Sequence, residues 1–129
     1  MANMTTPVAQ LARELLDRDG TALVDLEIYQ FARDADDAHD DGFQDRLAKQ
    51  FAASFENAQA ELVKALGQPS NTGDQNNPCI PLCGVFRFAV WVQDNKSLFL
   101  AAAHEDRECP YLLMLGTGAG EVAAGKMVT

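Results

Sequence analysis

One stretch of the chain, residues 85–92, is apolar on both sides if it is extended, and this most constrains the fold. Alternate side chains of a strand point to opposite faces. One face then carries Phe86, Phe88, Val90 and Val92, and the other carries Val85, Ala89 and Trp91, with Arg87 as the single charge. A sheet with one face in water would alternate polar and apolar residues. The pattern therefore requires either helices on both faces or a second protein chain on one of them.

Two more apolar segments, residues 98–103 and 111–115, follow this stretch. The polar residues between the first two segments, 94–97, have hairpin-turn chemistry, and residues 104–110 form a second polar turn. Short connections favour antiparallel neighbours. We predict a three-stranded antiparallel meander that Gly116 ends.

The first half of the chain has helical spacing instead. A long amphipathic helix is predicted over residues 43–66, followed by Gly67 as its stop. Its apolar stripe steps by three or four residues through Leu47, Phe51, Phe55, Ala58, Leu62 and Leu66. A shorter helix is expected to begin at Thr6-Pro7 and to end at Gly20.

Residues 22–30 fit two patterns. Val24, Ile28 and Phe31 have helical spacing, whereas Val24, Leu26 and Ile28 alternate as in a strand. Residues 67–84 are rich in turn-forming residues and are too short a connector to separate two domains. The predicted fold is therefore a single α+β domain over residues 1–129, with N-terminal helices packed on the C-terminal meander.

Negative charge is concentrated in one part of the chain. The net charge is −9, and residues 17–45 contain ten carboxylates and two arginines. Such a field disfavours nucleic acid and anionic membranes as partners and favours a basic protein. The same charge also fits a purely solubilising role. The predicted binding residues in the loop before the long helix are Asp34, Asp36, Asp37, Asp40 and Asp41.

A second cluster of ionisable residues falls between two apolar segments. It consists of His104, Glu105, Asp106, Arg107 and Glu108. A solvated polar turn would have this composition, and so would a binding surface. His104 and Asp106 also suit acid–base chemistry, and Arg107 suits an anionic group. No residue spacing in the chain matches a catalytic triad, so no catalytic residue is assigned.

Metal and nucleotide sites are weakly supported. Cys79, Cys83, His104 and Cys109 could form a zinc set, but the segment between the first two lacks a glycine-rich turn. An EF-hand starting at Asp37 fails because Ala48 occupies the position of the essential glutamate. Residues 120–126 match phosphate-loop spacing, but Met127 replaces the Ser or Thr that binds magnesium. We expect no metal and no cofactor.

These features together predict a non-enzymatic acidic binding module. Helices before a meander, combined with acidic charge, resemble small bacterial immunity and inhibitor proteins, which implies a basic protein partner. The alternative is a small-ligand-binding protein or enzyme that uses the loop from His104 to Arg107. Three cysteines and no apparent signal segment indicate a cytoplasmic protein. The two-sided apolar sheet predicts a homodimer that buries Val85, Ala89, Trp91, Phe99, Tyr111 and Leu113.

Overall fold

The computed structural model describes residues 7–18, 22–31, 39–74, 80, 84–93, 96–106 and 109–119. In chain order the elements are α1 (Val8–Asp17), β1 (Ala22–Tyr29), α2 (Asp41–Leu66), β2 (Asn71–Gly73), β3 (Val85–Gln93), β4 (Lys96–Ala103) and β5 (Tyr111–Ala119). The strands form one antiparallel sheet in the order β1-β5-β4-β3-β2. The mixed α+β class is confirmed.

The prediction of a three-stranded sheet was wrong, because the sheet has five strands. Strand β1 takes residues that could equally have been helical, and it pairs with β5 so that Tyr29 lies opposite Tyr111. The register shifts between Asp25 and Glu27, which makes Leu26 the extra residue of a β-bulge. The bulge keeps Val24 and Leu26 against the helix-side core and leaves Ile28 exposed, so the strand does not follow the simple alternation of the sequence.

The other strand errors involve glycine and polar residues. The connector contains the short strand β2, which pairs with β3. Strand β5 does not end at Gly116 but continues to Ala119. A Cβ on Gly116 would lie 2.5 Å from Phe99 Cζ and 2.9 Å from Leu23 Cδ1. Gly116 is therefore a strand residue that leaves room for two neighbouring side chains, not a strand stop.

Helix α2 was predicted to within two residues of its start. Asp40 is its N-cap, since the Asp40 Oδ1 atom accepts a hydrogen bond of 3.0 Å from the Phe43 amide. Gly67 ends the helix with φ of +92°, a conformation that suits glycine. The stripe from Leu47 to Leu62 is buried as expected.

Both helices lie on the same face of the sheet. Ala12 and Leu15 of α1 share a core with the α2 stripe and with Leu98, Leu100 and the other helix-facing strand residues. The Lys96 Nζ atom donates to the carbonyl oxygens of Leu15 and Leu16 at 3.4 and 3.3 Å. A cation therefore satisfies carbonyls at the end of α1, where the helix dipole favours positive charge.

The opposite face has its own small core. Ile80, from the connector, packs there with Val85, Phe88, Val90, Phe99, Ala101 and Ala103. Ile80 of the same chain therefore covers the centre of the second face. Neither a helix nor a second protein chain is needed there.

The six residues proposed to bury themselves in a homodimer are all buried within the single chain. Ala89, Trp91, Tyr111 and Leu113 belong to the helix-side core, while Val85 and Phe99 belong to the opposite one. They do not form one exposed face, so the observation that motivated the dimer is removed. Neither helix within the described ranges has the length and apolar character needed to cross a bilayer.

Candidate functional site

His104 stacks directly on Tyr111. The two rings are 3.7 Å apart between centroids and tilted by only 10°. His104 follows the last residue of β4 and Tyr111 is the first residue of β5, so the stack spans the two ends of the polar turn. The Nε2 atom of His104 is buried. The stack therefore holds the start of the turn against the sheet. The ionisable residues Glu105 and Asp106 directly follow His104 in the sequence.

The hydroxyl of Tyr111 continues this arrangement to the first turn of α2. It lies 2.8 Å from the Oε1 atom and 3.2 Å from the main-chain oxygen of Gln44. Tyr111 itself is only 4% exposed, and it also packs against Phe31, Phe51 and Phe86. A buried phenol with a hydrogen-bond partner is a stable anchor. It joins two segments that are 67 residues apart in sequence.

Exposed carboxylates are close in sequence to both Gln44 and His104, the two contact partners of Tyr111. Asp40 and Asp41 begin α2, one helical turn before Gln44, and Glu105 and Asp106 directly follow His104. All four are exposed. We call this group, Asp40, Asp41, Glu105 and Asp106, the acidic end. The structure thus brings part of the predicted acidic loop and part of the predicted ionisable turn to the same end of the sheet.

The remaining predicted binding residues cannot be placed in this group. Asp34, Asp36, Asp37, Arg107 and Glu108 lie outside the described residues. Asp40 has a structural role as well, because its carboxylate caps α2. Asp41 lies in the first turn of that helix, where the dipole favours a negative charge.

The backbone of His104 is fixed by a close approach to Gly84. The His104 amide donates to the Gly84 oxygen at 2.9 Å. Gly84 has φ of +70°, and a Cβ at this position would lie 2.4 Å from the His104 carbonyl oxygen. Only glycine fits this contact without displacement of the backbone. The start of β3 therefore positions the turn that carries Glu105 and Asp106.

The zinc hypothesis concerns residues that are only partly described. His104 and half-buried Cys109 are described, but Cys79 and Cys83 lie outside the described residues. Within the described ranges, no group of three or more His, Cys, Asp or Glu side chains is arranged to hold a metal ion.

A separate cleft of about 450 Å³ lies between α2 and the β2–β3 edge. Its lining includes Phe55 and Phe88 as apolar residues, with Gln59, Thr72, Asp74 and Arg87 as polar ones. The Arg87 guanidinium forms a 2.9 Å ion pair with Glu56, in which both side chains are partly exposed. His104 does not line this cleft.

Sequence reasoning missed the residues that build the acidic end. Tyr111 and Gln44 were assigned to a strand and a helix without a role between them. The only local signal in the sequence was a tyrosine at the first position of a strand that directly follows a polar turn. The pairing of Tyr111 with Gln44 depends on how α2 crosses the sheet, which periodicity does not encode.

Comparisons of this chain with protein-family models, with curated proteins and with solved structures found no match.

Proposed function

We propose that the protein is a non-enzymatic binding module that presents the acidic end to a basic protein partner. The observation that carries this proposal is that Tyr111 contacts both Gln44, one helical turn after Asp40 and Asp41, and His104, which directly precedes Glu105 and Asp106. Two carboxylate pairs from distant segments then act on one partner surface. An inhibitor or immunity-type role is one form that such a module takes.

Several properties of the acidic end support binding by charge. Its four acidic residues are exposed to solvent, where a partner can reach them. The segments that carry them are anchored by a buried tyrosine and a helix cap, which limits the entropy lost on binding. Complementary charge mainly accelerates association and selects the partner.

The test removes four charges from the acidic end and compares the result with the same change elsewhere. The first variant carries Asp40→Asn, Asp41→Asn, Glu105→Gln and Asp106→Asn. Asparagine is itself a good N-cap, so α2 keeps its start. The control variant carries Glu14→Gln, Asp17→Asn, Glu61→Gln and Asp74→Asn, which are exposed carboxylates in other parts of the described chain.

Both variants have the same net charge, so any difference between them reports position. The probe is a fluorescent lysine-rich peptide, and stopped-flow mixing gives its association rate constant. We expect the acidic-end variant to associate roughly tenfold more slowly than the control variant at low salt. The difference should shrink near physiological ionic strength, where charges are screened over about 8 Å. Equal rates for the two variants would contradict the proposal.

A second candidate function is small-ligand binding, and the observation that favours it is the cleft beside Arg87. Its volume of about 450 Å³ lies in the range of small-molecule sites, and it combines apolar and polar lining residues. Arg87 would hold a carboxylate in place of Glu56. Screening small aromatic carboxylates by NMR tests this candidate. Amide shifts confined to residues 72–74 and 87, and lost in Arg87→Gln, would support it, whereas shifts elsewhere would not.

A further inference from the structure

Strand β1 forms one edge of the sheet and is long enough to act as a template. It has eight residues, which span at most roughly 26 Å at 3.3 Å per residue, and the bulge at Leu26 bends it between Asp25 and Glu27. Its inner edge pairs with β5. Among the described residues, no backbone hydrogen bond reaches its outer edge from another loop or strand. Such an edge offers a row of amides and carbonyls to an additional strand.

The side chains of β1 on the face away from the helices are exposed. Ile28 is 52% exposed and Leu23 is 44% exposed, the two largest values among the big apolar side chains of the described residues. Asp25 lies between them and is also exposed. This face of the edge therefore has the pattern apolar, acidic, apolar.

The same strand leads to the acidic end. Tyr29, its last residue, lies opposite Tyr111, the residue that stacks on His104. A segment lying along β1 would therefore reach the acidic end at one of its termini. Strand β1 therefore ends at the same end of the sheet as the His104 turn.

We infer that the outer edge of β1 accepts an extended basic segment of a partner protein as a sixth strand. Its backbone would pair with β1, its apolar side chains would lie against Leu23 and Ile28, and a lysine or arginine would lie near Asp25. The basic character of the segment rests on the proposed function, whereas strand addition at β1 does not.

A second copy of this chain fits the edge less well. Each copy has a net charge of −9, and each edge carries Asp25 and Glu27. Pairing two such edges would bring like charges together, which destabilises cross-strand contacts. A basic segment turns the same charges into favourable contacts.

The experiment uses two synthetic peptides with the full chain. The first is a capped octapeptide that places valine, lysine, valine and lysine at alternate positions and threonine between them, so that one face of the extended peptide carries both residue types. The second has the same sequence with alternate backbone nitrogens methylated, which keeps its charge but removes donors needed for strand pairing. Amide hydrogen exchange of the protein is measured with each peptide. We expect the first peptide to slow exchange of outward-facing β1 amides at least tenfold, and the second to leave them unchanged.

Side-chain variants test the same site. Ile28→Thr keeps a β-branched residue and the net charge but removes apolar surface, so it should weaken binding of the first peptide about threefold. Val92→Thr is the matched control, because Val92 is also exposed but lies on β3, three strands away in the sheet. It should change the affinity less than about 1.5-fold.

The outcomes separate this inference from the proposed function. Peptide binding that depends on the acidic-end carboxylates but leaves β1 exchange unchanged would overturn the strand addition and keep the proposed function. Protection of β1 that is equal in the acidic-end and control variants would support strand addition and count against the acidic end. Protection of β1 without peptide, with a light-scattering mass of twice 14.0 kDa, would overturn the inference in favour of a second copy.

Discussion

The imidazole ring of His104 lies parallel to the phenol ring of Tyr111, with 3.7 Å between their centroids. This stack joins the turn that carries Glu105 and Asp106 to the residue whose hydroxyl contacts Gln44 at the start of α2. Exposed charge is therefore placed by a buried aromatic contact. Partner binding at the acidic end should therefore weaken when the His104–Tyr111 stack is lost, or when the Tyr111 hydroxyl no longer contacts Gln44.

The hydroxyl of Tyr111 should contribute measurably to stability. Tyr111→Phe removes its contacts with Gln44 but keeps the ring stack, so we expect the free energy of unfolding to fall by about 1 kcal/mol. Tyr29→Phe is the control, because no hydrogen bond of the Tyr29 hydroxyl is found among the described residues. That change should cost less than about 0.5 kcal/mol. Urea unfolding followed by circular dichroism measures both, and equal losses would refute the role of the hydroxyl.

Gly84 should tolerate alanine less well than Gly67 does. Both have positive φ, +70° and +92°, so both substitutions strain the backbone. A Cβ on Gly84 would also lie 2.4 Å from the His104 oxygen, whereas a Cβ on Gly67 would meet nothing within 4 Å. We expect Gly84→Ala to lower the free energy of unfolding by at least about 1 kcal/mol more than Gly67→Ala does. Equal losses of the free energy of unfolding for the two variants, measured by chemical denaturation, would contradict the close approach of Gly84 to His104.

Trp91 should be a core residue and not a dimer contact. It is 2% exposed, and its Nε1 atom donates to the Gly67 oxygen at 2.8 Å. Trp91→Glu would bury an unpaired charge, so we expect a loss of more than about 4 kcal/mol and an unfolded chain. Val92→Glu, at the exposed neighbouring position, should change stability by less than about 0.5 kcal/mol. A folded Trp91→Glu monomer that replaced a wild-type dimer would restore the original interface hypothesis.

Strong periodicity made helix α2 predictable from sequence. The stripe from Leu47 to Leu62 is uninterrupted, and Gly67 ends it in the conformation that glycine favours. Strand β1 was ambiguous because its apolar residues fit both helical spacing and strand alternation. Strand β2 was missed because its three residues, Asn-Thr-Gly, have turn chemistry. In both cases the pairing with another strand, β5 for β1 and β3 for β2, determines the strand, and the local sequence does not.

The candidate site was predictable only in its chemistry. The ionisable residues after β4 and before α2 stand out in the sequence, but their proximity depends on the crossing of α2 over β5. The error about the second face had a similar cause. Ile80 lies in a connector of turn-forming residues, so its sequence surroundings did not predict that it would pack against Phe88 and Phe99.

The most direct test of the central claim is an NMR titration of the wild-type chain with the lysine-rich peptide. If the acidic end is one binding surface, the amides of residues 40–44 and 104–106 should shift together and follow one binding curve. Amides near Glu14, Glu61 and Asp74, which are exposed carboxylates elsewhere, should shift less. Shifts spread evenly over all exposed carboxylates, or separate binding curves for the two segments, would contradict the claim.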